Sequence, residues 1–369
     1  MKVPPVYRIL YLLLVPIVGF SADDGRVTLA LLALQLFIWA ALKIPFSEFS
    51  QLRRVRRFAL IILLAFVFFH GDPDITILSL GDWSLGVSHA GFLTGLLMIA
   101  KLLIMLLASQ IICFCTPAKE LISAMQGLGM SRDSAEVMNS LMNLAGGREE
   151  RSGGHGGGNH RRHEGKEGPA SQKSSIDLMA ILKGDLKGVY DQIETQREKI
   201  NSQFSNSELA NIASSSALIV LVRFIKIAPG LPIAPGHKNV LIVPFFIAGS
   251  YNSKTAWAGS KIGFFSGSTH FMSGFGKYGP LGILQFVLLG GVIDALLFLF
   301  RRPSSLFVCA IIGLLAGLFR VISEILIAWI LNVPIEFYLF YLPFIASHCI
   351  FGALSAPITK QLLTRFSKT

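Results

Sequence analysis

Apolar runs long enough to cross a lipid bilayer fill most of this chain, and one long charged stretch, residues 118–205, divides them into two blocks. A membrane-spanning helix needs about 20 predominantly apolar residues. Candidate spans are residues 5–20, 27–44, 58–69 and 93–115 before the stretch, and 209–228, 240–251, 256–275, 280–300, 306–331 and 334–366 after it. The pattern predicts an all-α polytopic membrane protein with about four N-terminal and six C-terminal transmembrane helices.

Composition agrees with a membrane protein, because 52% of the residues are hydrophobic and only 15% are charged. Soluble domains carry about 25% charged residues. The net charge of +11 reflects an excess of Lys and Arg, which in membrane proteins commonly marks cytoplasmic loops. No basic motif interleaved with aromatic residues is present, so we expect the lipid bilayer and not nucleic acid as a partner.

Basic loops predict the orientation of the spans, because connections rich in Lys and Arg stay on the cytoplasmic side. The connection between the second and third runs contains Arg53, Arg54, Arg56 and Arg57. Basic residues also follow the fourth run of the second block and mark the C-terminus: Arg301, Arg302, Lys360, Arg365 and Lys368. Both termini are therefore expected in the cytoplasm.

Parts of the first block are less regular than the rest. The runs 5–20 and 58–69 are short, which predicts tilted, irregular or re-entrant helices. Residues 75–91 are apolar but contain glycines and Asp82. This segment is predicted to form a periplasmic loop or an interfacial hairpin.

The charged stretch predicts a cytoplasmic region, residues 117–205, between a membrane block at 1–116 and another at 206–369. It begins with an amphipathic pattern: Leu121, Ala124, Met125, Leu128, Ala135, Val137, Met138, Leu141 and Met142. A charged helical pattern resumes between Ile176 and Ile193. These patterns predict two surface helices joined by a Gly- and His-rich insert, residues 146–168, which has too few apolar residues to fold alone.

Few sequence features suggest a catalytic, nucleotide-binding or metal-binding role. His155, His160 and His163 lie in the insert, as part of a solvated linker or as weak metal ligands. The segment from Gly249 to Thr255 imitates a phosphate-binding loop, but serine replaces the second glycine that this loop requires. We therefore expect neither an ATPase nor another enzyme, and predict no catalytic residue, cofactor or resident metal site.

Ionisable residues inside the second block are the candidates for substrate contact, because such groups are costly in lipid and usually face a cavity or a partner. Asp294 lies in the middle of a span and is the stronger single candidate. Arg320 and Glu324, four residues apart, either pair with each other or contact substrate. The predicted substrate-binding residues are Trp257, Lys261, His270, Asp294 and Glu324.

Small polar and apolar residues suggest helix contacts in the same block. Ser266, Ser268, Thr269 and Ser273 form a polar stripe that suits a small hydrophilic ligand or, equally, contacts between helices. Ala210, Ala213 and Ala217 open the block with small residues on one face. Such a face serves general helix packing or a specific docking contact between subunits.

One motif resembles a known family. The run Thr116-Pro-Ala-Lys-Glu-Leu-Ile-Ser-Ala-Met-Gln-Gly-Leu-Gly-Met130 is similar to the start of the coupling region in the transmembrane T component of energy-coupling factor (ECF) ABC importers, where T-P-x-x-L and A-L-x-x-L-G-[LVM] follow the fourth helix. The second block resembles the substrate-binding S component, with six helices, a first-helix A-x-x-x-A face, and glycine-rich third and fourth helices. The run 209–228 is alternatively a last T-component helix.

The resemblance implies a fused T–S subunit in a bacterial cytoplasmic (inner) membrane. Its partners would be two ABC-type ATPase subunits and a small micronutrient, with a vitamin-like organic molecule favoured over a metal ion. Ala210, Ala213 and Ala217 would form the contact between the T and S parts. The chain lacks the family's Ala-Arg-Gly motifs, and Arg132 and Arg197 are the nearest candidates for contact with the ATPases. The alternative is a non-transporting scaffold or sensor whose residues 117–205 bind a cytoplasmic partner.

Overall fold

The computed structural model describes residues 4–22, 24–44, 56, 59–60, 62–64, 66–68, 74–80, 83–145, 195, 198, 206–224, 236–273, 279–300, 303, 305–330 and 342–366. Nearly all of these residues are helical. The predicted helical class therefore holds for the described part of the chain. The Gly- and His-rich insert and the charged helical pattern at 176–193 lie outside it.

The first block is built around one long helix. Helices α1 (Pro5–Ser21) and α2 (Gly25–Ala41) both pack against α3 (His89–Cys115). Asp24 caps α2 by accepting a hydrogen bond from the Arg26 amide at 2.8 Å, and Ser88 caps α3 by accepting one from the Gly91 amide at 3.1 Å. Both are residue types that favour this position, because a short polar side chain satisfies an amide that the first turn leaves unpaired. Helical backbone is also described at 59–60, 62–64 and 66–68, within the third predicted run.

Two strands precede α3 and depart from a strictly all-α fold. Strands β1 (Ile75–Leu80) and β2 (Trp83–Val87) pair antiparallel, with Ile75 opposite Val87. Ile75, Thr76 and Ile77 are β-branched and favour extended backbone. Of the two predictions for this segment, loop and hairpin, the backbone matches the hairpin.

The amphipathic segment after α3 forms two short helices. They are α4 (Ala118–Gly127) and α5 (Arg132–Ala145). Gly129 separates them with a backbone φ of +105°, a conformation that costs glycine little and other residues more. Met130 closes the turn through a 3.0 Å hydrogen bond from its amide to the Met125 carbonyl. The continuous apolar pattern therefore contains a sharp turn.

The described part of the second block contains seven helices. They are α6 (Ser207–Phe224), α7 (Asn239–Asn252), α8 (Ala258–Met272), α9 (Leu281–Phe300), α10 (Leu306–Ile330), α11 (Leu342–Ala353) and α12 (Ala356–Phe366). The last predicted run, 334–366, thus includes two helices. Pro357 explains the break, because proline has no amide hydrogen to donate to the preceding turn.

Four segments in the described part of the chain are long and apolar enough to cross a bilayer: His89–Cys115, Leu281–Phe300, Leu306–Ile330 and Leu342–Arg365. Four shorter apolar helices accompany them: Val6–Ser21, Gly25–Ala41, Ser207–Val222 and Asn239–Asn252. The described helices are thus those of a membrane-embedded protein.

Glycines allow two pairs of helices in the second block to approach closely. A Cβ atom added to Gly263 of α8 would lie 2.2 Å from the Phe286 carbonyl oxygen of α9. One added to Gly313 of α10 would lie 2.1 Å from the Gly352 carbonyl oxygen of α11. Small residues give such contacts where lipid provides no hydrophobic drive for helices to associate.

Candidate functional site

The five predicted substrate-binding residues do not form one site. Trp257 and Lys261 lie at the start of α8, which Asp294 of α9 contacts through the Gly259 amide. His270 lies near the end of α8. His270 follows Gly259, which Asp294 contacts, by eleven positions, a distance of about 16 Å at the rise of an α-helix. Glu324 of α10 contacts Gln285 near the start of α9. The two ends therefore have to be considered separately.

Asp294 caps α8 from a neighbouring helix. Its Oδ1 accepts a hydrogen bond from the Gly259 amide at 2.8 Å, and its Oδ2 accepts one from the Ser260 amide at 3.0 Å. The hydroxyl of Ser250 also donates to Oδ1. A carboxylate is favourable here because the first turn of a helix has unpaired amides and a positive dipole end. Asp294 thus joins α7, α8 and α9.

Trp257 and Lys261 are exposed at this end of the block. Trp257 precedes α8 with a left-handed φ of +59°, and its side chain makes no capping hydrogen bond. Residues other than glycine adopt this conformation at a cost that the surrounding structure must offset. The carboxylate of Asp294 supplies the missing cap and stabilises this turn.

A second group of polar residues surrounds Phe286, whose carbonyl packs against Gly263 of α8, and we call it the Phe286 cluster. It comprises His270 of α8, Gln285 and Phe286 of α9, and Arg320 and Glu324 of α10. The Arg320 guanidinium carbon lies 5.8 Å from the Phe286 ring centroid, and the His270 ring centroid lies 6.0 Å from it. The Gln285 amide donates a 2.8 Å hydrogen bond to Glu324 Oε1.

Burial makes the Phe286 cluster chemically distinctive. Arg320 and Glu324 are only 7% and 9% exposed. Removing charged groups from water costs several kcal/mol per ion unless partners compensate. The Phe286 cluster thus brings together guanidinium donors, a carboxylate acceptor, an imidazole and an aromatic ring. This set suits recognition of a small polar organic molecule with a ring. No group of three or more metal-ligating side chains occurs among the described residues.

Sequence reasoning missed two residues of this cluster and a buried lysine. Gln285 and Phe286 lie in an apolar run, where the single amide of Gln285 was the available signal. Lys101 of α3 is buried, and its Nζ donates a 3.2 Å hydrogen bond to the Phe20 carbonyl near the end of α1. A cation is favourable at the negative end of a helix dipole. Lys101 therefore stabilises the contact between α1 and α3.

The central helices contact the second block directly. Helix α5 packs against α6 and α8. Met138 of α5 and Ala213 and Ala217 of α6 belong to one buried apolar core. Ala210, the third alanine of the predicted packing face, is also buried. Ala213 and Ala217 of the predicted small-residue face thus share a buried core with α5 of the central region.

Of the two residues predicted to contact the ATPases, the structure describes only Arg132. Arg132 begins α5 with its side chain 88% exposed, and its Nε lies 3.7 Å from Glu136 Oε1 of the next turn. Leu128, at the preceding turn, is also exposed. Arg197 lies outside the described residues. The α4–α5 turn thus presents an arginine and an apolar side chain on an open surface.

Comparison of the chain with protein-family models, with curated proteins and with solved structures found no significant match. A functional proposal for this chain therefore rests on its own residues and contacts, together with the resemblance of residues 116–130 to a coupling region.

Proposed function

We propose that this chain is a fused T–S membrane subunit of an ECF-type importer in a bacterial cytoplasmic membrane. It takes up a small micronutrient, a vitamin-like organic molecule rather than a metal ion. Two separate ABC-type ATPase subunits supply the energy by hydrolysing ATP. The observation that carries the proposal is the two-sided packing of the α4–α5 pair, which directly follows α3.

One side of the α4–α5 pair packs into the protein. Leu121 and Ile122 of α4 and Val137 and Met138 of α5 are buried in the core that also contains second-block residues. Such a pair is mechanically linked to the second block, because movement of α5 displaces the side chains packed against it. A helix that transmits force between subunits requires this kind of contact.

The other side of the pair is polar and open. Exposed residues on it are Lys119, Glu120, Ser123, Gln126, Arg132, Asp133 and Glu136. A solvated face with both charge signs suits a soluble partner and not lipid, in which charged groups are costly. The two sides together favour a connector between cytoplasmic ATPases and a membrane-embedded binding block.

The Phe286 cluster is the proposed substrate site of that block. Its charged members, Arg320 and Glu324, carry opposite charges, and its ring, Phe286, is buried. An organic molecule with a ring and hydrogen-bonding groups matches this set better than a metal ion, for which carboxylate, imidazole or thiolate ligands would be expected in a group. The cluster thus favours an organic substrate.

Fusion of the two blocks has a consequence for selectivity. A covalent tether raises the effective concentration of one module near the other to roughly mM when the linker is short and flexible. A separate S component would have to compete with the attached block at that concentration. The fused chain is therefore dedicated to one substrate.

The proposal is tested by purifying the tagged chain in mild detergent from its native host and assaying the preparation for ATP hydrolysis. We expect two ABC-type ATPases to co-purify, and Arg132→Ala to lower turnover about tenfold, which corresponds to about 1.4 kcal/mol of lost docking contact. Arg26→Ala is the matched control, because Arg26 is exposed at the start of α2 and away from α4 and α5.

A chain that purifies without ATPases contradicts the importer proposal. Recovery of a different cytoplasmic protein, bound through the α4–α5 surface, would instead support the scaffold or sensor alternative. The importer and the scaffold or sensor are both proposed from the same exposed face. Identifying the protein bound to this face therefore distinguishes the two functions.

A further inference from the structure

Arg8 of α1 connects two helices that follow each other much later in the chain. Its Nη1 lies 3.2 Å from the carbonyl oxygen of Cys115 and 3.3 Å from Oγ1 of Thr116. The same nitrogen lies 2.9 Å from Oε2 of Glu120. Cys115 is the last residue of α3, Thr116 caps it, and Glu120 lies in the first turn of α4. One guanidinium thus contacts both sides of the α3–α4 joint.

The electrostatics of the joint explain why a cation is stable there. The last carbonyls of α3 lack helical partners and form the negative end of its dipole. Pro117 follows immediately and has no amide hydrogen to offer them. The Arg8 side chain is 13% exposed and that of Glu120 is 46% exposed. Arg8 is therefore held mainly by the protein, whereas Glu120 remains reachable by solvent.

The packing of α1 shows which helices the Arg8 contact links. Helix α1 packs along both α3 and α4. The position of a Cβ on Gly127, at the far end of α4, lies 3.9 Å from a methyl carbon of Val6. Arg8 therefore contacts α3 and α4 at the joint along which α1 packs.

We propose that Arg8 is a positioning residue that holds the α4–α5 pair at a fixed angle to α3, so that movement imposed on the pair reaches the second block. This inference rests on the proposed importer function and assigns to Arg8 the role of keeping the joint stiff. Without Arg8, α4 would pivot at Pro117 and the imposed movement would be lost at the joint.

The test uses the full chain with its co-purified ATPases and two readouts. The first is a cross-link between Val6→Cys and Gly127→Cys, in a background in which Cys113, Cys115, Cys309 and Cys349 are alanine. The second is the kcat and KM of ATP hydrolysis. We expect Arg8→Gln to slow cross-linking and lower kcat, each about threefold to tenfold, as loss of charge-assisted hydrogen bonds predicts. The KM for ATP stays unchanged, because the nucleotide would bind to the ATPases.

Further variants separate positioning from folding. Arg8→Lys keeps the charge and should restore at least half of both readouts. Arg26→Gln removes an exposed arginine elsewhere and should change neither. If Arg8→Gln does not accumulate, Glu120→Gln loosens the same joint while Arg8 keeps its contacts with Cys115 and Thr116. A smaller fall in the cross-linking rate is then expected, and this rate alone is compared because Glu120 also lies on the exposed face proposed to contact the ATPases.

Unchanged cross-linking and kcat in Arg8→Gln, with the ATPases still bound, overturn the inference about Arg8 and leave the importer proposal standing. Absence of ATPases from preparations of the unmodified chain overturns the importer proposal. In that case the cross-linking rate alone decides whether Arg8 holds the joint, and an unchanged rate in Arg8→Gln rejects it.

Discussion

The sulfur of Met138 lies 3.5 Å from the hydroxyl oxygen of Thr269, and both side chains are fully buried. Met138 belongs to the helix pair that follows the first membrane block, and Thr269 belongs to α8 of the second block. The contact shows that α5 is integrated into the protein core and is not only a surface helix. It also favours the helix-contact interpretation for this part of the polar stripe.

The Met138–Thr269 contact predicts an efficient cross-link between α5 and the second block. Cysteines at both positions, in a chain without its four native cysteines, should form a disulfide when a small oxidant that enters the protein core, such as iodine, is added. Intact protein and a proteolytic digest, compared by mass spectrometry, measure the product. Met138→Cys with Lys254→Cys is the control, because Lys254 lies beyond the other end of α8. Equal yields for the two pairs would contradict the observed packing.

Glycine at 263 is predicted to be essential for the contact between α8 and α9. An alanine Cβ there would lie 2.2 Å from the Phe286 carbonyl oxygen, and backbone cannot move aside as easily as a side chain. Overpacking of this kind costs about 1–3 kcal/mol or more. We expect Gly263→Ala to lower the melting temperature in detergent. Gly282→Ala is the matched control, since an added Cβ there meets no atom within 4 Å, and a similar loss in both variants would refute the argument.

Asp294 is predicted to contribute mainly to stability. Replacing it with alanine leaves the amides of Gly259 and Ser260 without their acceptor, and hydrogen bonds to charged groups contribute about 1.5–3 kcal/mol each. Asp294→Asn should cost less, because an amide oxygen still accepts one of the two bonds. Thermal unfolding in detergent measures both variants. An unchanged melting temperature for Asp294→Ala would exclude the capping role and return Asp294 to the list of substrate contacts.

Sequence patterns located the helices well because apolar run length depends on local composition. The predicted run 280–300 corresponds to α9, Leu281–Phe300, and the run 306–331 to α10, Leu306–Ile330. The turn at Gly129 was missed because a continuous apolar face does not reveal that the chain reverses within it. Run length also did not reveal that 334–366 contains two helices.

The candidate site was harder to predict, because its contacts join residues that are far apart in the chain. Asp294 was predicted as the stronger single candidate for substrate contact, but the amide of Gly259 that it caps is 35 residues away. His270 and Glu324 were both predicted as substrate contacts, and the structure places each beside α9. The residues between them, Gln285 and Phe286, follow from three-dimensional packing, which periodicity along one helix does not encode.

The Phe286 cluster predicts that Glu324→Gln and Gln285→Leu behave differently. A glutamine at 324 has nearly the same shape and keeps an oxygen that accepts from Gln285, so unliganded stability should change by less than about 1 kcal/mol. Gln285→Leu removes the donor from a buried carboxylate and should cost about 1.5–3 kcal/mol. The melting temperature in detergent measures both effects.

The change in melting temperature when a ligand is added distinguishes a binding site from a structural contact. If the cluster holds substrate, the charge of Glu324 is part of recognition, and Glu324→Gln abolishes the rise in melting temperature that a matching vitamin gives the unmodified chain, because a ligand stabilises only the state it binds. Neutral, anionic and cationic water-soluble vitamins are the probes, and Gln361→Leu on α12 is the control for loss of a glutamine elsewhere. A vitamin that stabilises the unmodified and the Glu324→Gln chain equally binds without this carboxylate, and the cluster then serves only to hold α8, α9 and α10 together.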